Sequence, residues 1–161
     1  LALAVARSAG LDDTQVNAIA IGGPIHDLGK IVVADEILRK PGPLTLDERR
    51  SMEEHPLLGA AITAAVTDYD SVVDLVRHHH ERIDGDGYPG RLKGLEISAP
   101  TRLFTLADAY SAMTTDRPYR KGFSPERAID EIHKGSGTQF DPDFAVAFVD
   151  LIERMYQEAA A

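Results

Sequence analysis

Much of the chemistry this chain could perform rests on six histidines and a few carboxylates, and three of the histidines, His78, His79 and His80, are consecutive. They leave an apparently helical segment and enter the loop Glu81-Arg82-Ile83-Asp84-Gly85-Asp86-Gly87-Tyr88-Pro89. Adjacent side chains on a helix diverge by about 100°, so the three cannot share one solvated face. Burying them is costly unless something binds their lone pairs. His26-Asp27 offers an imidazole beside a carboxylate whose two oxygens can bridge two ions. On its own that pair reads more readily as helix-end residues making local backbone hydrogen bonds. His55, after Glu53 and Glu54 and before Pro56, reads by itself as a surface or half-buried histidine. Asp108 lies in the apolar stretch Leu106-Ala107-Asp108-Ala109-Tyr110, close to the face carrying Leu103, Leu106 and Ala107. A carboxylate there needs a partner or an ion unless it turns to solvent.

Together, His26, Asp27, His55, His79, His80 and Asp108 make a nitrogen and oxygen ligand set without sulfur, since the chain has no cysteine. Such a set suits two hard or borderline ions such as Mn²⁺ or Fe²⁺. Two ions a few ångströms apart clamp an in-line attack on phosphorus. Lys30 could neutralise a phosphate oxygen, or simply favour a helix C-terminus. Arg117, Arg120 and Lys121 form a cationic loop that could hold phosphate through bidentate contacts, and is equally readable as a solvated loop. Tyr88 could stack on a base or pack its loop onto the core. Glu81 is expected to support a neighbouring ligand or to pair with Arg82, and His133 to lie on the surface.

The elements that must carry these groups read as successive helices. Leu1 to Ala9 ends a helix stopped at Gly10. Asp12 and Asp13 are candidate N-caps of a helix ending near Gly29. Thr45 and Glu48 make a capping box for a helix through Glu54. The His55-Pro56 step bends the chain, and helix resumes from Leu57 to Val66. Asp70 can cap a helix from Ser71 to Glu81. Ser98-Ala99-Pro100, Ser124-Pro125 and Asp141-Pro142 open three more. Ile31 to Val33 is strand-like. The pattern predicts an all-α, single-domain bundle of about six to seven helices.

Composition sets the outer limits. With 161 residues, 43% hydrophobic and 27% charged, the chain is one globular domain with a sizeable core. A net charge of −9 argues against duplex nucleic acid as a partner, though metals or a few arginines can reverse the sign locally for a small phosphate ligand. No apolar run approaches the roughly 20 residues of a membrane span, so no membrane insertion is expected. The lack of cysteine fits a reducing compartment, and a cytoplasmic location is expected.

The blocks His26-Asp27-Leu28-Gly29-Lys30-Ile31, Lys40-Pro41-Gly42-Pro43-Leu44-Thr45, His55-Pro56, His79-His80-Glu81 with Asp84-Gly85-Asp86-Gly87-Tyr88-Pro89, Asp108, and Thr115-Asp116-Arg117-Pro118-Tyr119-Arg120 resemble an HD-GYP domain. Gln139-Phe140-Asp141-Pro142 extends the likeness, which runs in order from about Leu1 to Asp150. The resemblance implies an HD-domain-like fold and a bacterial signalling hydrolase that opens cyclic di-GMP to the linear dinucleotide pGpG, in some members onward to GMP. It implies two or three divalent ions, iron or manganese, on His26, Asp27, His55, His79, His80 and Asp108. Asp27 and Lys30 match catalytic positions, and Lys30, Tyr88, Arg117 and Arg120 match substrate-binding ones. The Tyr88 loop also matches an element that docks GGDEF-type synthase domains. On this reading, residues 1–161 are an N-terminally truncated HD-GYP domain, the C-terminal output of a longer protein with an upstream sensor or receiver domain. Three features depart from the family pattern. Its further upstream ligand histidine is not in this sequence, Ser111 stands where a second aspartate is usual, and Gly90-Arg91-Leu92 replaces a Gly-Leu step. They motivate one other reading, a degenerate module that binds cyclic di-GMP or a GGDEF-type partner; a further reading, from the wider HD superfamily, is an HD hydrolase of another nucleotide.

Overall fold

The computed structural model describes residues 1–116 and 121–159, and these form helices and loops with one isolated parallel bridge between Ser136 and Phe140. The helices are α1 (Ala2–Ser8), α2 (Asp13–Ile25), α3 (Asp35–Leu38), α4 (Leu46–Glu53), α5 (His55–Ala64), α6 (Asp70–His78), α7 (Ala99–Thr114), α8 (Pro125–Gly135) and α9 (Pro142–Ala159). Single 3-10 turns cover Leu28–Val32 and Gly94–Glu96. The expected all-α bundle is what forms. The number of α-helical segments is close to the expected six or seven, and the four-residue α3 is an addition that carries no apolar periodicity a sequence pattern could detect. No helix among the described residues is long and apolar enough to cross a membrane.

Local chemistry sets many of the boundaries. Asp12 caps α2 in a reciprocal box with Gln15, and Thr45 does the same for α4 with Glu48. Ser124 accepts from the Arg127 N–H to open α8, and Asp141 accepts from the N–H groups of Asp143 and Phe144 to open α9. The α4–α5 break falls at Glu54, just before the His55-Pro56 step, and helix resumes at His55 and not at Leu57. Two expected caps fail. Tyr69 precedes α6, with Asp70 as its first helical residue, and Ser98 turns its hydroxyl to Asp74 and Thr101. The strand-like Ile31 to Val33 run is a correction: Ile31 and Val32 lie in a 3-10 turn, 76% and 60% exposed. Without a partner strand, their β-branched side chains have no sheet to join.

The core gathers apolar faces from α1, α2 and α6 to α9, with Leu75, Leu103, Leu106, Ile132 and Phe148 fully buried. Outside it, α6 packs on α2 and α5, and the Leu28–Val32 turn packs on α5. That last contact requires glycine. A Cβ on Gly29 would stand 1.9 Å from the His55 carbonyl oxygen and 2.6 Å from the Gly59 nitrogen. Backbone therefore meets backbone, which draws Asp27 against His55.

Candidate metal centre

Four helices converge on one point. His26 and Asp27 follow α2, His55 begins α5, His79 and His80 follow α6, and Asp108 projects from the middle of α7. Asp27, His55, His79 and His80 each present a ligand atom, all within 4.8 Å of one another. Asp27 Oδ1 lies 3.4 Å from His55 Nε2 and 3.9 Å from His79 Nε2, and those two nitrogens are 3.3 Å apart. On the other side of the carboxylate, Asp27 Oδ2 is 2.7 Å from Lys30 Nζ and 3.5 Å from His26 Nε2. His26 Nε2 is in turn 3.8 Å from Asp108 Oδ1. The structure thus brings together the six residues the sequence singled out, four tightly and two beside them through His26.

The protonation pattern is set by the backbone. His26 Nδ1 is 2.6 Å from the Gly23 carbonyl, His55 Nδ1 is 2.7 Å from that of Met52, and His79 Nδ1 is 2.8 Å from that of Val76. A carbonyl only accepts, so each Nδ1 carries the proton and each Nε2 turns its lone pair inward. Held this way, imidazoles are oriented as metal-binding histidines are. Burial pushes His79 down to about 3 and His80 down to about 2, so both stay neutral around pH 7. Burial works to raise the Asp27 carboxyl, but the polar contact with His55 and the hydrogen bond and charge of Lys30 at Oδ2 outweigh it and hold the group well below its ordinary value.

Asp27 Oδ1 is buried and has no hydrogen-bond partner among the described residues. An ionised oxygen facing two nitrogen lone pairs is an expensive arrangement unless a cation completes it. The donor set is neutral imidazole and carboxylate, which fits a divalent transition metal. The residues present therefore fit such an ion.

The loop after α6 folds back over this cluster. Tyr88 stacks on His80 with ring centroids 4.8 Å apart, and burial raises its hydroxyl above the ordinary value, with the charges of Glu53 and Asp27 adding to the rise. Gly87 sits where a Cβ would fall 2.5 to 2.6 Å from the backbone of His80, Glu81 and Arg82. The clamp is Glu81, which the sequence reading gave to a ligand or to Arg82. It is 2% exposed, and its carboxylate accepts from the N–H groups of Gly90 and Leu92. Arg82 pairs with Asp84 instead. The loop is also pinned from outside, where the N–H groups of Ile83 and Asp84 donate to the carbonyls of Gln139 and Thr138.

His78 turns away and pairs with Asp74 at 2.8 Å. Arg117 and Arg120 lie outside the described residues, while Lys121 is exposed. Sequence reasoning missed Phe104, whose ring stands edge-on to His26 at 5.2 Å, and Thr105, which donates to the His79 carbonyl at 2.9 Å. Only their position one turn from Asp108 on α7 could have marked them.

Comparison with known proteins agrees with this geometry. The HD domain family model matches residues 1–144. A cyclic di-GMP phosphodiesterase of Pseudomonas aeruginosa is 41% identical over 153 residues, covering 94% of this chain and 37% of that protein. The cyclic di-GMP phosphodiesterase response regulator RpfG of Xanthomonas campestris is 36% identical over 86% of this chain and 37% of its own length. The chain thus spans little more than a third of these curated relatives. Among solved structures, an HDGYP protein from Bdellovibrio bacteriovorus superposes with a TM-score of 0.73 at 18% identity, over 94% of this chain and 49% of that one. At that identity the likeness concerns the fold. The family match and the histidine–aspartate geometry lead to one conclusion: this chain belongs to the HD domain family and carries its HD-GYP signature.

Proposed function

We propose that this chain is the catalytic part of a metal-dependent phosphodiesterase that opens cyclic di-GMP to pGpG. In this reading His26, Asp27, His55, His79, His80 and Asp108 would hold two or three divalent ions, iron or manganese. The observation that carries it is the buried, unpartnered Asp27 Oδ1 facing the Nε2 atoms of His55 and His79. The relatives named as cyclic di-GMP phosphodiesterases support the substrate.

Bound divalent ions would supply Lewis acidity, acidifying a water and neutralising phosphate oxygens. The protein's own part is to position and exclude. Asp27 turns one oxygen towards His55 and His79 and the other towards His26 and Lys30. Lys30 keeps its ammonium on that second oxygen, where it can meet charge growing on a phosphate oxygen in the transition state. Tyr88 covers His80 and limits water on that side. Arg117 and Arg120 are proposed to hold substrate phosphates.

The relatives extend well beyond the matched region, and one is named a response regulator. Both facts support a cytoplasmic protein in which a receiver or sensor domain controls this one. A GGDEF-type synthase domain is the proposed partner of the Tyr88 loop.

The test is direct. Protein purified anaerobically and loaded with Mn²⁺ or Fe²⁺ is expected to convert cyclic di-GMP to pGpG, followed by chromatography, and His26→Ala and His79→Ala are expected to lose bound metal and turnover together. A protein that takes up no transition metal, or whose turnover is untouched by His26→Ala, sinks the reading. A second substrate belongs in the assay, because a Vibrio cholerae relative 32% identical to this chain is named as 3'3'-cGAMP-specific.

A further inference from the structure

Next to Tyr88, on the side of α4, lies a cleft of about 330 Å³ lined by Arg50, Glu53, Glu54, Asp86, Tyr88 and Arg91, among others. Tyr88 belongs to both places: its ring stacks on His80, and it forms part of the cleft wall.

Arg91 has an unusual setting. It has φ 54, the one non-glycine residue with positive φ among the described residues, a conformation that costs an ordinary side chain energy and suits glycine. The N–H groups on either side of it, of Gly90 and Leu92, are both held by the buried Glu81 carboxylate. The backbone under Arg91 is thus fixed by the residue that follows His80, while its side chain is exposed and makes no ion pair among the described residues. Carboxylates of Glu53 and Glu54 stand in the same cleft, and neither pairs with Arg91 among the described residues. The cleft thus sets a guanidinium fork, two glutamates and a tyrosine ring around one space.

We infer that this cleft reads a guanine base of the substrate, with Arg91 as its specificity-determining residue. A guanidinium fork donates to guanine O6 and N7 together. Adenine puts an amino donor where guanine has O6, so the fork rejects it. The glutamates can accept from the guanine N1–H and N2 amino groups, and Tyr88 offers a ring for the base to stack on. The inference rests on the proposed dinucleotide substrate.

The test uses Mn²⁺-loaded protein and compares kcat/KM for cyclic di-GMP and cyclic di-AMP in wild type, Arg91→Gly and Arg91→Lys. Glycine suits the positive φ, so the loop keeps its backbone. The guanine-over-adenine ratio is expected to fall about tenfold or more in Arg91→Gly, the size of one lost bidentate base contact. Arg91→Lys, with a single point of donation, should fall between. An unchanged ratio, or equal losses on both dinucleotides, overturns the inference. Wild-type protein that cleaves bis(p-nitrophenyl) phosphate but neither dinucleotide overturns the proposed substrate instead, and the base-reading cleft with it.

Discussion

Asp27 Oδ1 and His55 Nε2 lie 3.4 Å apart, the carboxylate oxygen buried without a hydrogen-bond partner among the described residues and the imidazole 1% exposed. The contact depends on Gly29, because only a residue without Cβ lets the turn after Asp27 rest on the His55 carbonyl. Gly29→Ala is therefore expected to act at two levels. Backbone on both sides of the clash must move, which destabilises the fold by roughly 1–3 kcal/mol, and Asp27 moves away from His55. Chemical denaturation would read the first effect and metal content the second. A variant of full stability and full metal content would contradict the argument.

Metal should stabilise the fold through the same oxygen. An ion at a hundred times its dissociation constant adds about 2.7 kcal/mol, which for a domain of this size raises Tm by roughly 5–10 °C. Thermal scans with Mn²⁺ against a chelator would record it. Asp27→Asn keeps the shape and removes the charge, and most of the shift is expected to vanish.

The tautomers make a sharper prediction. His26, His55 and His79 each face a backbone carbonyl three residues earlier through Nδ1. In metal-free protein, ¹⁵N correlation spectra should show Nδ1 protonated in all three rings, and His79, pushed down to about 3 by burial, as a neutral ring around neutral pH. An Nε2-protonated His79 would mean that the lone pair does not point to Asp27.

What the sequence made readable was what it encodes locally. Asp12, Thr45, Ser124 and Asp141 all cap as their spacing predicts, because a cap and its target lie within three residues. The six candidate ligands were legible as residue types in a recognisable order, but their convergence depends on contacts between distant helices. Glu81 was misread for that reason: its partners lie nine and eleven residues on, across a loop whose path no periodicity reveals. Ile31 and Val32 misled in the opposite way. Their β-branched side chains suggest a strand, but the close approach of Gly29 to α5 decides the local backbone.

The Glu81 clamp gives a fourth prediction. Charge-assisted bonds to two backbone donors are each worth about 1.5–3 kcal/mol, so Glu81→Ala should destabilise the fold by roughly 3 kcal/mol or more. Glu81→Gln keeps an acceptor and should cost less. Tyr88 would lose its fixed stack on His80 in the alanine variant, and its ring protons should move towards random-coil shifts. Loss of stability without any change at Tyr88 would separate the clamp from the loop.

Asp74 sets an acid limit on the fold from outside the candidate metal centre. Its carboxylate joins His78 on α6 to Ser98 and Thr101 at the start of α7. Burial works to raise this carboxyl, but hydrogen bonds with His78, Ser98 and Thr101 outweigh it and hold it below its ordinary value. A depressed carboxyl contributes stability that is fully present above its unfolded value of about 4. That contribution is lost as pH falls through the lower folded value, because the native state takes up its proton later than the unfolded chain. Asp74→Asn should therefore be less stable than wild type around neutral pH, by roughly 1 kcal/mol given its partial exposure. The two should converge only as pH falls below that lowered folded value. Urea midpoints of chelator-treated protein across that range would show it, and a difference that stays constant down to the acid limit would assign the effect to shape and not to charge.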